Sequence, residues 1–411
     1  LRTRTLIVLI VLLAVAGGGL VLWHGGAFAG HGRTVASQGA SASGHAVVPA
    51  QSGAGSKPAP ATSKSSSSGA SVPAAGSGGS ALSRPSVYWG ALIGTQFKGE
   101  QEPWDMTPVT TLASMVGKGL SLVHFATPFA DCQSGGGCSD ESFPWTPLNN
   151  IRDYGAIPFL DWDSVAAQDN SSAFARKLPD TLSAVIDGYW DSYIQSFAQS
   201  AKAWGHPFFL RFDWEMNGSW FPWSEGVNGN KAGQFVAAWR HVHDIFTKVG
   251  ATNVSWVWCP NVDPFGIYTS LQELYPGSAY VDWTCLDGYN KGTNPIDAPS
   301  DSWLSFDQLY HSTYNQVVNT IAPGKPMMLA EVASTEIGGS KSQWISQMLS
   351  ELPSQYPDIH GVIWYDRSSG GWDWPIESSA TSLAAFSSGI KNAAYVANDY
   401  GDLNTSPIPP P

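Results

Sequence analysis

Eight short apolar runs, separated by stretches of helical periodicity, constrain this chain more than any other feature. They are Val87–Ala91, Ser121–Thr127, Ala156–Asp161, Pro207–Trp214, Val254–Cys259, Val281–Leu286, Pro326–Val332 and Gly361–Tyr365. Continuous apolar runs bounded by helical patterns read as strands buried on both faces of a parallel sheet. Between them, Ile186, Tyr189, Trp190, Tyr193, Ile194, Phe197 and Trp204 recur at a helical period, as do Phe235, Val236, Trp239, Val242 and Phe246, which stop at Gly250. Trp344, Ile345, Met348, Leu349 and Leu352 form another such set, and Thr107-Pro108 marks a helix start with Thr as cap and Pro in the first turn. Eight βα units in roughly 310 residues is the arithmetic of a (β/α)8 TIM barrel. A doubly wound open sheet is the alternative, but no glycine-rich fingerprint follows the first strand.

The remaining segments differ in composition. Arg2 and Arg4 precede an apolar run, and Ala27-Phe28-Ala29 offers a small-residue cleavage motif. Residues 1–29 therefore read as a signal peptide or an N-terminal membrane anchor. Residues 30–84 are mostly Ser, Ala, Gly and Pro with few bulky side chains, which cannot bury enough apolar surface to offset chain entropy; a disordered linker is expected there. The barrel is expected over 85–395. Residues 396–411, ending Ser-Pro-Ile-Pro-Pro-Pro, are expected to be a flexible tail.

The chain carries 33 acidic and 21 basic residues, and residues 1–84 hold no acid. The folded part is thus strongly acidic, which excludes nucleic acid as a natural partner, since its binding rests on Lys/Arg contacts to phosphate. No partner beyond a substrate is expected, and the protein is expected to be a monomer. The four cysteines fit an oxidising compartment, whether the protein is secreted or membrane-tethered. Three pairings are open; Cys132–Cys138 and Cys259–Cys285 are favoured, with buried free thiols at 259 and 285 as the alternative.

In a barrel of this kind, function sits at the C-terminal ends of the strands. Strand four runs into Arg211-Phe212-Asp213-Trp214-Glu215-Met216-Asn217-Gly218, followed by Trp220 and Trp223. Strand seven runs into Glu331. A carboxylate at the end of a buried strand is costly without partners. Two of them on strands facing across one mouth, amid tryptophans, match what glycoside hydrolysis requires: one acid to protonate the leaving oxygen, and a second carboxylate to attack the sugar or activate water. The aromatic faces suit sugar rings. The bland alternative is that each Glu pairs with an Arg as a barrel staple. Asp161 and Asp163 end strand three and could line a sugar subsite or serve as a cap. Asp366 and Arg367 are expected to pair with each other, and His124 to be a satisfied core residue. His241 and His243 point to different helix faces, and no metal or cofactor signature is present.

The stretch Arg211–Trp223 with Glu331 resembles glycoside hydrolase family 26, best known for β-mannanases, over about residues 85–395. The resemblance implies Glu215 as acid/base, Glu331 as nucleophile and retention of anomeric configuration. It implies that Tyr289, in Asp287-Gly288-Tyr289-Asn290, hydrogen-bonds the nucleophile, and that Trp364, Trp372 or Trp374 supplies a stacking platform. Trp214, Trp220, Trp223, Asp161 and Arg211 complete the expected substrate-contacting set. The implied activity is a retaining endo-β-glycanase, most simply on β-1,4-mannan. Trp214 stands where the family usually has His, which opens another β-glucan, xylan or a bacterial exopolysaccharide as substrate, or a glycan-binding barrel without catalysis. Partial desolvation beside Trp214 and Trp220 is expected to raise the Glu215 pKa.

Overall fold

The computed structural model describes residues 86–132, 138–168, 181–262, 270–293, 302–369 and 371–411. The strands are β1 (Tyr88–Ile93), β2 (Leu122–Cys132), β3 (Cys138–Asp140), β4 (Ile157–Gln168), β5 (Phe208–Phe212), β6 (Val254–Trp258), β7 (Trp283–Asn290), β8 (Met327–Ser334) and β9 (Ile359–Asp366). Pairing runs β1-β9-β8-β7-β6-β5-β4-β2, and β2 closes back on β1, all parallel. This is a closed (β/α)8 barrel. Its strands are the eight read from the sequence, while β3 is an added antiparallel strand on β2. The disulfide Cys132–Cys138 bridges that β2–β3 pair, and Cys259–Cys285 links the end of β6 to β7. The expected leader, anchor and linker lie outside the described residues. Among those described, no helix is long and apolar enough to cross a membrane.

The helices are α1 (Thr107–Val116), α2 (Trp145–Tyr154), α3 (Leu182–Ile186), α4 (Asp191–Trp204), α5 (Gln234–Val249), α6 (Phe306–Gln316), α7 (Lys341–Gln355) and α8 (Ala380–Gly389). Between β6 and β7 the described residues form no helix, and Asn261 makes an isolated parallel bridge to Asp287. Gly250 closes α5 in a left-handed conformation, as its place after the last periodic residue predicts. At α1 the cap differs: the Asp105 carboxylate, not Thr107, takes the Thr107 N–H (2.8 Å).

Strand alternation sorts side chains between the barrel interior and the helical layer. On β5, Phe212 packs on Trp239 of α5, whereas Phe209 meets Trp283 of β7 across the interior. On β4, Trp162 stacks on Phe197 of α4 (4.4 Å between ring centres), which leaves Asp161 and Asp163 on the opposite face.

The C-terminal segment is not a flexible tail. Ile408 is buried, its N–H bonds Ser255 Oγ (2.8 Å), and its carbonyl accepts from Trp283 Nε1 (2.7 Å). Tyr88 donates its hydroxyl to the Pro409 carbonyl (3.0 Å). Ser255, Trp283 and Tyr88 all lie at strand starts, so residues 406–411 cover the bottom of the barrel. Prolines cost little entropy to order, and Ile408 supplies the apolar anchor.

Candidate active site

Arg211 organises the mouth. It is fully buried on β5. Its Nε and Nη2 reach the two oxygens of Asp161 on β4 (2.6 and 2.5 Å), and Nη1 reaches Asp287 on β7 (2.7 Å). Nη2 also donates to Glu331 Oε1 on β8. The guanidinium lies over the rings of Phe159 and Trp214, 5.6 and 5.0 Å from their centres. Burial alone would lower its pKa, but Asp161, Asp287 and Glu331 outweigh that and raise it. His124 Nε2 sits 2.7 Å from Asp161 Oδ2. The expected core histidine is therefore only half satisfied: Nδ1 is buried with no partner.

One guanidinium cannot balance every carboxylate around it. Burial raises Asp161, but Arg211 and then His124 reverse the effect and leave it lowered. Asp287 is raised well above the usual carboxylate range by burial, against the pull of Arg211 and with help from Glu331, Glu215 and Asp161. The ligand atoms of His124, Asp161 and Glu331 lie close enough together to hold a cation, but Arg211 bonds to both carboxylates and takes that role.

Glu331 is aimed by a bulge. Pairing of β8 to both β7 and β9 skips a residue between Leu329 and Val332, and such an insertion re-aims side chains. Its second oxygen, Oε2, accepts from the Tyr289 hydroxyl. Both oxygens of Glu331 thus act as acceptors.

Glu215 is aimed by a turn. Asp213 and Glu215 both adopt left-handed backbone (φ 42° and 50°), a conformation L residues resist. The turn is pinned by the Asp213 carboxylate, which accepts from Ser164 N–H and Oγ (both 2.8 Å), and by the Glu215 N–H on the Cys259 carbonyl (2.7 Å). Glu215 Oε1 accepts from Asn261 Nδ2, and Oε2 from Trp220 Nε1, both at 2.6 Å. A side chain at Gly218 would collide with the Trp220 ring (2.4 Å), so glycine there lets the indole fold back onto Glu215. Asn217 holds Asn261 in turn through that residue's N–H and carbonyl (2.8 and 2.9 Å).

The Glu215 carboxyl is pushed up to about 7, first by burial and then by Glu331; Asn261, Trp220 and Arg211 pull the other way. The direction matches the sequence expectation. Trp220 contributes oppositely to what was expected, because its N–H stabilises the charged form.

The structure sorts the remaining expected contacts. Arg211 and Asp161 are buried and paired with each other rather than exposed at the surface. Trp364 is also no platform: it faces outward onto Trp344 of α7 and Phe386 of α8. Trp223 is buried on Phe221, with its N–H on the Trp214 carbonyl (2.7 Å). Trp214 is 5% exposed, similar to Glu215 at 6%, and its ring lies against the Arg211 guanidinium. Trp220 is 36% exposed, while its N–H is held by Glu215. Trp372 stacks on Trp374 (5.0 Å), and Trp374 lies 5.5 Å from Tyr289, so the aromatic wall comes from the loop after β9. Asp366 does not pair with Arg367; it accepts from Ile376 N–H (2.6 Å) and Gln96 (3.1 Å). Asn261 and Asn217 were given no site role from the sequence, although Asn217 lies in the Arg211–Trp223 stretch. Their one signal was a polar residue just past a strand end.

The sequence profile of glycosyl hydrolase family 26 matches residues 159–373. The chain belongs to this family. It is 40% identical over 210 residues to Endoglucanase H of Acetivibrio thermocellus; the match covers 50% of this chain and 22% of that much longer protein. The catalytic domain of a family 26 endo-β-1,4-mannanase from Bacillus sp. JAMB-750 has the same fold (TM-score 0.56, 15% identity, 77% of this chain and 90% of that one). So does the family 26 domain of an endo-β-mannanase/endo-β-glucanase from Prevotella bryantii (TM-score 0.51, 17% identity, 77% and 92%).

Proposed function

We propose that this family 26 glycoside hydrolase is a retaining endo-β-glycanase that acts preferentially on a β-linked glucan outside the cytoplasm. The observation that carries the mechanism is the contrast between two carboxyl groups in one mouth. Glu215 is raised to about 7, so it can hold a proton near neutrality. Glu331 accepts from Arg211 and Tyr289 through both oxygens. The raised carboxyl of Glu215 supports it as the acid, and the two donors on Glu331 support it as the nucleophile. Glu331 would attack the anomeric carbon while Glu215 gives its proton to the departing glycosidic oxygen. Glu215, now a carboxylate, would take a proton from the water that displaces Glu331 and restores the starting configuration.

Two points favour glucan over mannan. The 40%-identical relative carries the name endoglucanase, whereas the mannanase likeness is one of fold at 15% identity. Trp214 also replaces the usual family His. The two disulfides support an oxidising location, and the acidic composition a neutral polysaccharide partner.

The test is reducing-sugar release from β-glucan, mannan and xylan, with Glu215→Gln and Glu331→Gln as controls, and NMR of the anomer first formed. Faster release from mannan would overturn the substrate, and an inverted product would overturn the role of Glu331. Binding without release from any glycan would leave a lectin-like barrel.

A further inference from the structure

Lys341 is the first residue of α7, a position where the helix dipole disfavours a cation. It is nonetheless fully buried. Its ammonium group donates to the carbonyls of Asp373 (2.5 Å), Trp374 (3.0 Å) and Pro375 (2.7 Å), and to Ser378 Oγ (2.8 Å). Three consecutive carbonyls of one loop thus converge on one side chain from another βα unit. A buried charge is tolerated only when so satisfied.

That loop carries the stacked Trp372 and Trp374. The Trp374 carbonyl also accepts from Trp364 Nε1 (2.9 Å), and the Asp373 carboxylate ties back to Thr335 Oγ1 (2.5 Å) and the Glu336 N–H (3.1 Å). Trp374 packs beside Tyr289, which donates to Glu331. We infer that Lys341 is a positioning residue for the active site: it clamps the loop after β9 so that the Trp372–Trp374 wall stands at a fixed place beside Tyr289 and Glu331. The inference rests on the glycanase reading for its catalytic consequence, but not for the clamp itself.

The clamp is sensitive to mild alkali. Burial lowers the Lys341 pKa to about 8, while Asp373, Glu336, Asp366 and Glu377, the acids facing it from the β8 and β9 loops, hold it up. Losing one proton leaves two N–H groups for four acceptors.

The test is Lys341→Met, which keeps the stem and removes the donors. Backbone hydrogen exchange across residues 366–380 should speed up at neutral pH. KM for the glycan should rise about tenfold with kcat nearly unchanged, the size of one displaced aromatic contact. In the wild-type enzyme KM should climb as pH passes about 8, and in the variant that rise should vanish. Unchanged exchange in the loop, or a wild-type KM flat through this range, would overturn the inference. If the variant does not fold, wild-type exchange across the loop decides: corrected for its intrinsic pH dependence, it should speed up as pH passes about 8, and unchanged protection would overturn the inference. Exchange needs no substrate, so faster exchange without any glycan cleavage would retain the clamp and sink the glycanase reading instead.

Discussion

The two ends of the barrel solve opposite problems. At the bottom, Tyr88, Trp283 and Ile408 fill the opening with aromatic rings and a branched side chain, and the bonds that hold Ile408 and Pro409 there are uncharged. At the mouth, Arg211, Asp161, Asp287, Glu331 and Glu215 crowd charges into a buried space, with left-handed backbone at Asp213 and Glu215. The bottom gains stability by burial. The mouth gives up stability for unequal protonation, since buried ion clusters rarely add net stability yet shift pKa values far. The difference marks the mouth as the chemical end.

The sharpest way to break this contrast is at the carboxylates. Glu331→Ala should reduce glycan turnover by about 10⁴-fold or more, as removal of a covalent nucleophile does, and leave thermal unfolding little changed. An active variant would remove Glu331 from the chemistry. Next comes Arg211→Met. It strands three buried carboxylates, and the loss should be about 3–5 kcal/mol by denaturant unfolding. A variant as stable as wild type would mean the cluster is not held by Arg211.

At the bottom, Ile408→Ala should cost roughly 2 kcal/mol of unfolding free energy while kcat and KM stay as they are. A fall in kcat at constant stability would show that the two ends communicate. The smallest effect concerns pH. On the proposed mechanism Glu215 must be protonated to donate, so activity should fall as pH rises through about 7. Asn261 lowers that pKa by bonding the charged form, so Asn261→Ala should move the alkaline limb upward, by about one unit or less. A downward move would contradict the hydrogen bond from Asn261.

Much of this was legible in the residues. Eight apolar runs dictated eight barrel strands because burial on both faces leaves no room for polar alternation. Glu215 and Glu331 stood out because a carboxylate ending such a strand needs a reason. Family 26 membership followed from the Arg211–Trp223 stretch. Other features were not legible. Arg211 looked like a substrate contact, and only closure of the barrel brought Asp161, Asp287 and Glu331 around it. Trp364 looked like a platform, but strand alternation turned it toward α7 and α8. The Pro-rich end read as unfolded because composition measures what a segment buries alone, not what an open barrel end offers it.

The sequence by itself determined the elements and the chemistry available, since apolar period and residue type are local properties. Tertiary structure decided which oxygen meets which donor: the β8 bulge that aims Glu331, the Asn217–Asn261 tether beneath Glu215, and the lysine of α7 that holds a distant loop. Each depends on contacts between segments separated in the chain, and no local pattern encodes a distance across a barrel.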